Sequence, residues 1–171
     1  SADNDHGSHP DMLVILDTMD AVADNPVGNR DGDPDLQYAW DGGNLNVDSD
    51  PDPLTSADVR LGNVMVIAEN DYDGDNDGFI DVPDDESRGG SITINFDRDM
   101  QSFRTANIDL DESPNQNFIR FYDDGNLVYS MDFTEWASLD GVDFGDRHAN
   151  QMPWLNQAYI GGVFDEVRID L

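Results

Sequence analysis

Residues 118–133, which read FIRFYDDGNLVYSMDF, carry the clearest fold signal in the sequence. Two apolar-rich runs flank the segment DDGN at residues 123–126, whose residue types favour tight turns, so a β-hairpin is predicted. Side chains at every second position of a strand lie on the same face. On the second strand the residues predicted to share one apolar face are Leu127, Tyr129, Met131 and Phe133.

Further short strands are predicted on both sides of this hairpin. Their approximate bounds are residues 12–16, 36–40, 64–69, 91–97, 105–110 and 163–171. Apolar and polar residues alternate through 91–97, as expected of a half-buried strand. In the strand at 163–171 the predicted apolar face consists of Val163, Val167, Ile169 and Leu171.

Helical periodicity is absent from the sequence, and residues 137–157 are predicted to be irregular. Several short strands separated by Gly, Asp and Asn turns predict an all-β fold, an antiparallel β-sandwich of jelly-roll type. We expect a single β-sandwich domain over residues 12–171. Residues 1–11 are polar and unpatterned, so they are predicted to form a flexible N-terminal arm.

The charge balance restricts the partners of this chain. The 171 residues include 38 acids, 33 of them Asp, against 8 Arg and no Lys, for a net charge of −30. Nucleic acid and anionic lipid would be repelled. Salt or bound cations would relieve the repulsion within the chain, and an Asp-rich, Lys-free composition resembles that of proteins from salt-loving organisms.

Secretion is the expected localisation. The chain begins at Ser1 without an initiator Met, as a mature exported protein does, although a piece of a longer chain would begin in the same way. No apolar run is long enough to span a membrane. The sequence contains no Cys and thus no disulfides, so bound metal is the available means of stabilising an extracellular domain.

Residues 73–84, DGDNDGFIDVPD, have the spacing of a calcium loop of EF-hand type. Gly78 allows the sharp turn, and Ca²⁺ prefers six to eight oxygen ligands. Asp84 replaces the customary Glu, and Pro83 precedes it, so an isolated loop between strands is predicted rather than a helix-loop-helix sensor. A solvated acidic loop is the alternative. The predicted ligands are Asp73, Asp75, Asp77, Phe79 through its carbonyl, Asp81 and Asp84.

Two further acidic triplets lack this glycine. Asp31, Asp33 and Asp35 form either a second calcium site or a solvated turn. The triplet at residues 48–52 is interpreted as a solvated turn, because two prolines make it an extended linker.

Signals for other sites are weaker. Trp40, Trp136 and Trp154 could each stack on sugar rings, but tryptophans in a β-sandwich are mostly packed. Trp154 follows Pro153 in a predicted loop and is the candidate carbohydrate-binding residue if any of the three is exposed. No nucleophile motif accompanies His148, and carboxylate pairs arise by accident among 38 acids. An enzyme is therefore not expected.

The strand at 163–171 ends on an apolar residue at the end of the sequence. It is predicted to be an edge strand, or part of an incomplete sheet, and hence a template for pairing with a neighbouring chain.

Several segments resemble a type of secreted β-sandwich module found in large bacterial and archaeal exoproteins. They are VILDT (14–18), LGNVMVI (61–67), GGSITINFD (89–97), NIDLDE (107–112), FIRFYDDGN (118–126) and FDEVRIDL (164–171). The last also resembles the closing strand of laminin-G-like and lectin-like jelly rolls. This resemblance implies a non-catalytic extracellular module that binds calcium, glycan or protein. In such modules the chain continues into a further strand, which favours assembly with a neighbour here.

Two functional hypotheses follow. The first is a secreted, calcium-stabilised structural subunit of a filament, surface layer or matrix, which self-associates by strand pairing between neighbours. The second is a calcium-dependent module for carbohydrate binding or adhesion at cell-surface glycans.

Overall fold

The computed structural model describes residues 2–4, 13–17, 38–39, 59–60, 63–67, 89–108, 116–142, 144 and 149–171. The strands are β1 (Ala2–Asn4), β2 (Leu13–Asp17), β3 (Tyr38–Ala39), β4 (Val59–Arg60), β5 (Asn63–Ile67), β6 (Gly90–Met100), β7 (Ser102–Phe103), β8 (Ala106–Ile108), β9 (Phe118–Asp123), β10 (Asn126–Asp132), β11 (Ala149–Gln151), β12 (Leu155–Asn156) and β13 (Phe164–Asp170). The helices are α1 (Phe133–Ser138) and α2 (Gln157–Ile160).

A five-stranded sheet in the order β1-β6-β13-β9-β10 is the centre of the described structure. Four two-stranded pairs accompany it: β2–β5, β3–β4, β7–β12 and β8–β11. Each of these pairings is antiparallel. With two short helices among many antiparallel strands, the all-β class is confirmed.

The hairpin predicted from residues 118–133 is present as β9 and β10. Asp124 (φ 47°) and Gly125 (φ 75°) both have positive φ, which gives the turn the twist that a two-residue hairpin loop needs. A β-bulge then shifts the register between Leu127 and Tyr129. Leu127 is 56% exposed whereas Met131 is buried, so the prediction that Leu127 shares the buried face was wrong.

The strand at 163–171 differs from its prediction in its position in the sheet and in which of its residues face the core. β13 lies between β6 and β9 at the centre of the sheet, so the prediction of an edge strand was wrong. A bulge between Phe164 and Glu166 changes which side chains of the strand face the core and which face outward. Phe164 is consequently fully buried while Val163 is only half-buried, although Val163 was the residue predicted to face the core.

Aromatic and aliphatic side chains from one face of this sheet form the core. Phe121 meets Phe164 edge to face, with ring centroids 4.9 Å apart, and Phe103 in the same way at 6.0 Å. Ile94 and Phe96, two of the apolar residues predicted to alternate along β6, pack against this cluster. Edge-to-face contacts add to the stabilisation from apolar burial.

Two helices occupy segments for which none was predicted. Asp132 caps α1 by accepting a hydrogen bond from the Glu135 amide at 2.7 Å, and Phe133 and Trp136 turn inward. The stretch at 137–157, predicted to be irregular, contains the end of α1 together with β11, β12 and the start of α2. Both helices are too short for apolar periodicity to reveal them in a sequence.

The N-terminal segment, predicted to be a flexible arm, contributes β1 to the sheet. Ala2–Asn4 pair with Gly90–Ile92 of β6. β1 reaches only as far as Ile92 along this side of β6. Residues 94–100 of β6 have no described strand on that side. That stretch is therefore an open edge within the described part of the chain.

Leu171 and β6 approach closely at the start of that strand. The Gly90 amide donates to the Leu171 carbonyl at 3.0 Å, and the Leu171 amide donates to the Gly90 carbonyl at 2.8 Å. Gly89 has φ 78°, and a Cβ there would overlap the Leu171 carbonyl group. Glycine is required at residue 89 for both reasons.

Candidate functional site

An interruption in strand pairing shapes one surface of the molecule. Leu155 of β12 lies opposite Phe103 of β7, and Gln151 of β11 lies opposite Ala106 of β8. Between these pairs, two residues on one segment (104–105) face three on the other (152–154). Pro153 has no backbone N–H to donate to a ladder, so regular pairing stops at this point. Arg104 and Trp154 flank the interruption.

Hydrogen bonds fix the backbone on both segments of this interruption, and one of them comes from a buried side chain. Trp136 of α1 is fully buried, and its Nε1–H donates to the Pro153 carbonyl at 2.8 Å. From the other side, the Thr105 carbonyl accepts from the Met152 amide at 3.0 Å and from Gln151 Nε2 at 3.1 Å. A buried tryptophan thus fixes the position of the exposed one that follows Pro153.

Trp154 lies beside a wide-mouthed hollow of about 600 Å³. It is 56% exposed, and the neighbouring Tyr159 and Leu139 are 38% and 41% exposed. We use the name Trp154 surface for six of the residues that line this hollow: Arg104, Asp140, Gln151, Pro153, Trp154 and Tyr159.

Arg104 stacks on the exposed tryptophan. Its guanidinium carbon lies 4.6 Å from the Trp154 ring centroid, a cation–π contact. No ion pair joins Arg104 to Asp140 or to another acid among the described residues. The contact therefore orients the indole.

Tyr159 is held by the ends of α2 and by a second tyrosine. Asn156 Oδ1 accepts from the Tyr159 amide at 3.1 Å, and Gly161 (φ 88°) ends the helix. The rings of Tyr129 and Tyr159 meet edge to face, 5.7 Å apart. Burial, and next a hydrogen bond with Tyr159, raise the pKa of the Tyr129 phenol to about 12. The Tyr129 phenol therefore stays protonated at neutral pH.

The exposure of Trp154 is the part of this surface that the sequence indicated. Trp136, in contrast, is fully buried. Sequence reasoning missed Arg104, because its proximity to Trp154 depends on pairing between segments about 50 residues apart in the chain. It also missed Asp140, Gln151 and Tyr159, which lie near Trp154 in the chain but in a stretch predicted to be irregular or close to it. The rarity of Arg among 38 acids is the only signal that singles out Arg104 in the sequence.

The predicted calcium ligands lie outside the described residues: Asp31, Asp33, Asp35, Asp73, Asp75, Asp77, Phe79, Asp81 and Asp84. Trp40 and His148 lie outside them as well. Within the described ranges, no three acidic or histidine side chains converge as a metal-binding group. The calcium sites stay predictions from the sequence.

Like charges gather at the tip of the β9–β10 hairpin. The pKa of the Asp123 carboxyl is raised by desolvation and then by the carboxylates of Asp99, Asp124 and Asp165. The excess of acids in the sequence thus produces repulsion that can be located on the folded molecule.

Comparison of this chain with protein-family models, with curated proteins and with solved structures found no match. Among the described residues, neither helix is long and apolar enough to cross a membrane. A functional assignment therefore rests on the residues and geometry of the chain itself.

Proposed function

We propose that this chain is a secreted, non-catalytic β-sandwich module of jelly-roll type that binds carbohydrate at the Trp154 surface. Calcium bound by residues 73–84 stabilises it, with residues 31–35 as a second candidate site. The lectin-like pattern of FDEVRIDL supports the jelly-roll topology, and a glycan-binding module would serve adhesion at a cell surface.

One observation carries the carbohydrate assignment: an exposed indole, oriented by Arg104, beside a hollow lined by groups that form hydrogen bonds. A sugar ring presents C–H groups on its faces and hydroxyls around its edge. The indole can pack against the C–H groups, and Arg104 and Asp140 can form hydrogen bonds with the hydroxyls.

Trp154→Ala is the direct test. We expect affinity for the glycan to fall by about tenfold, because an aromatic contact contributes about 0.5–1.5 kcal/mol beyond its buried area. The measurement is a glycan array followed by calorimetric titration, with calcium present throughout.

Leu127→Ala is the matched control, since Leu127 is also 56% exposed but does not line the hollow. It should bind like the parent protein, and both variants should melt cooperatively. Absence of binding across a broad array by the folded parent protein, or equal binding by both variants, would overturn the carbohydrate assignment.

The second candidate function is assembly into a filament, surface layer or matrix. The observation favouring it is the open edge of β6 at residues 94–100. An edge strand whose N–H and C=O groups face outward can pair with another chain. The central position of β13 removes the original reason to expect pairing through the end of the chain, so the proposed contact is the β6 edge.

Asn95→Pro tests this contact. Gly90 exchanges both hydrogen bonds with Leu171, and backbone groups alternate in direction along an antiparallel strand. The amide of Asn95 accordingly points away from β13, so proline removes a donor from the open edge only.

Electron microscopy in calcium and in chelator should show assemblies of the parent protein in calcium and monomers of Asn95→Pro. Asn126→Ala, in the exposed hairpin turn, is the control and should assemble. A parent protein that is monomeric under both conditions would refute assembly. An Asn95→Pro variant that still assembles would refute the β6 edge as the contact.

A further inference from the structure

The central sheet has a second open edge in addition to the β6 edge at residues 94–100. β10 is the last strand in the order β1-β6-β13-β9-β10, and no described strand pairs with its outer side. Its residues 126–131, NLVYSM, include neither a charged side chain nor a proline, two of the features that protect an edge strand from pairing. We call the outer side of this strand the β10 edge.

Backbone groups point outward on both edges. The Phe133 amide donates to the Asn117 carbonyl at 3.0 Å, and backbone groups alternate in direction along an antiparallel strand. Counting back from Phe133, the amide and carbonyl of Ser130 therefore point away from β9. On β6 the amide and carbonyl of Asn95 point away from β13 for the same reason. Both residues are exposed, and no backbone hydrogen bond from another described residue reaches these outward groups.

The strand directions allow a neighbouring copy to continue the sheet. Each step from β6 through β13 and β9 to β10 is antiparallel, so β6 and β10 run in opposite directions. A copy displaced across the strands in the same orientation consequently places its β10 antiparallel to β6 of the first copy. The core faces of both copies then lie on the same side of one continuous sheet.

Side chains also match when Asn95 lies opposite Ser130 of the next copy. Both side chains are then on the outer face, where an amide meets a hydroxyl. The residues on either side of them bring apolar groups together on the core face. Each of these apolar residues already packs with the core of its own copy. The apolar pairs are Ile94 with Met131 and Phe96 with Tyr129.

Charge and symmetry favour this pairing over a contact between two identical edges. The β6 edge carries Asp97 and Asp99 against a single Arg98, all exposed. Two such edges would bring like charges together across strands, which is unfavourable, whereas residues 126–131 bring no charge. A contact between identical edges would also be related by a two-fold axis and would close after two copies.

We infer that the β6 edge is filled by the β10 edge of a second copy, head to tail, with Asn95 opposite Ser130. This inference rests on the assembly proposed above as the second function, and it names the partner segment and the register. Each added copy leaves one free β6 edge and one free β10 edge. Growth is therefore open-ended, and a filament results.

Cysteine cross-linking of the full chain in calcium tests the contact, because the sequence contains no Cys. Asn95→Cys and Ser130→Cys are prepared separately, mixed, and treated with oxidised glutathione. Directly opposite residues that exchange hydrogen bonds have Cα atoms about 5.5 Å apart, within the range of a disulfide. The mixture should give at least about tenfold more linked dimer than either variant alone, because only the mixture places two thiols opposite each other.

The double variant Asn95→Cys, Ser130→Cys distinguishes an open chain of copies from a closed dimer. Within one copy β13 and β9 separate the two residues by three strand spacings, about 14 Å, so the disulfide cannot form inside a copy. We expect a ladder of linked oligomers on a denaturing gel that collapses to one band under reduction.

Asp97→Cys mixed with Ser130→Cys is the register control. Residue 97 lies two positions from Asn95, about 7 Å along the strand, so linkage should be at least about tenfold weaker. Linkage as strong as that of the Asn95→Cys mixture would overturn the register.

Electron microscopy of the parent protein separates this inference from the function on which it rests. If the parent assembles but the mixture does not link, or links no more than one variant alone, the pairing of β6 with β10 is overturned and assembly stands. A parent protein that stays monomeric refutes assembly, and this pairing with it.

Discussion

Phe164→Ala is expected to lower the free energy of unfolding by about 3–5 kcal/mol, the range for deleting a buried aromatic side chain. Phe164 is fully buried and lies at the bulge where the pairing register of β13 shifts. Its ring contacts Phe121 at 4.9 Å and Phe96 at 6.0 Å, both edge to face. Alanine would leave a cavity between β13, β9 and β6 that the paired strands cannot collapse to fill.

Urea unfolding in calcium, followed by tryptophan fluorescence, measures this loss. Leu127→Ala is the control and should change stability by less than about 0.5 kcal/mol, because the side chain is exposed. If Phe164→Ala does not fold, Phe164→Leu should fold with a smaller loss. If the Phe164 variants were as stable as Leu127→Ala, this would contradict the burial of Phe164 at the bulge.

Withdrawal of calcium is expected to lower the melting temperature by about 3–10 °C. Extracellular calcium modules bind with dissociation constants of about 10⁻⁴ to 10⁻³ M. At about 10 mM free calcium, mass action then contributes about 1.4–2.7 kcal/mol to stability. For a chain of this length, each kcal/mol corresponds to about 2–4 °C.

Thermal melts in calcium, in chelator and in magnesium at matched ionic strength measure this effect. The double variant Asp75→Asn, Asp77→Asn should lose most of the calcium response, since it removes the charges of two predicted ligands from the loop at 73–84. The same pair of changes at Asp48 and Asp50, where the triplet lacks the glycine, should retain it. Equal melting temperatures in calcium and magnesium would instead indicate general screening of an acidic, salt-adapted surface.

The sequence predicts those parts of this fold that depend on neighbouring residues. The DDGN turn between two apolar runs was sufficient for the hairpin, because residues 123–126 determine its geometry locally. The bulges in β10 and β13 were not predictable, since a bulge arises from a mismatch between paired strands. Each bulge reversed the alternation of apolar residues, and this is why Leu127 and Val163 were misplaced.

In the candidate site, too, the features that depend on neighbouring residues were predictable and those that depend on distant segments were not. The exposure of Trp154 followed from its place after Pro153, a local property. Its contact with Arg104 follows from the pairing of Leu155 with Phe103, a long-range property that a pattern along one segment does not contain. The helix α1, which supplies the Trp136 hydrogen bond beneath Trp154, is six residues long and leaves no periodic signal.

The place of β13 in the sheet has a consequence for the order of events during synthesis. β6 and β9 are each paired with β13 and not with each other. Until residues 164–170 have been made, a growing chain therefore holds two separate parts of the sheet, β1 with β6 and β9 with β10, which no backbone hydrogen bond between described residues joins. Closure of the sheet must follow synthesis of β13 and brings together segments about 70 residues apart, which makes folding slow.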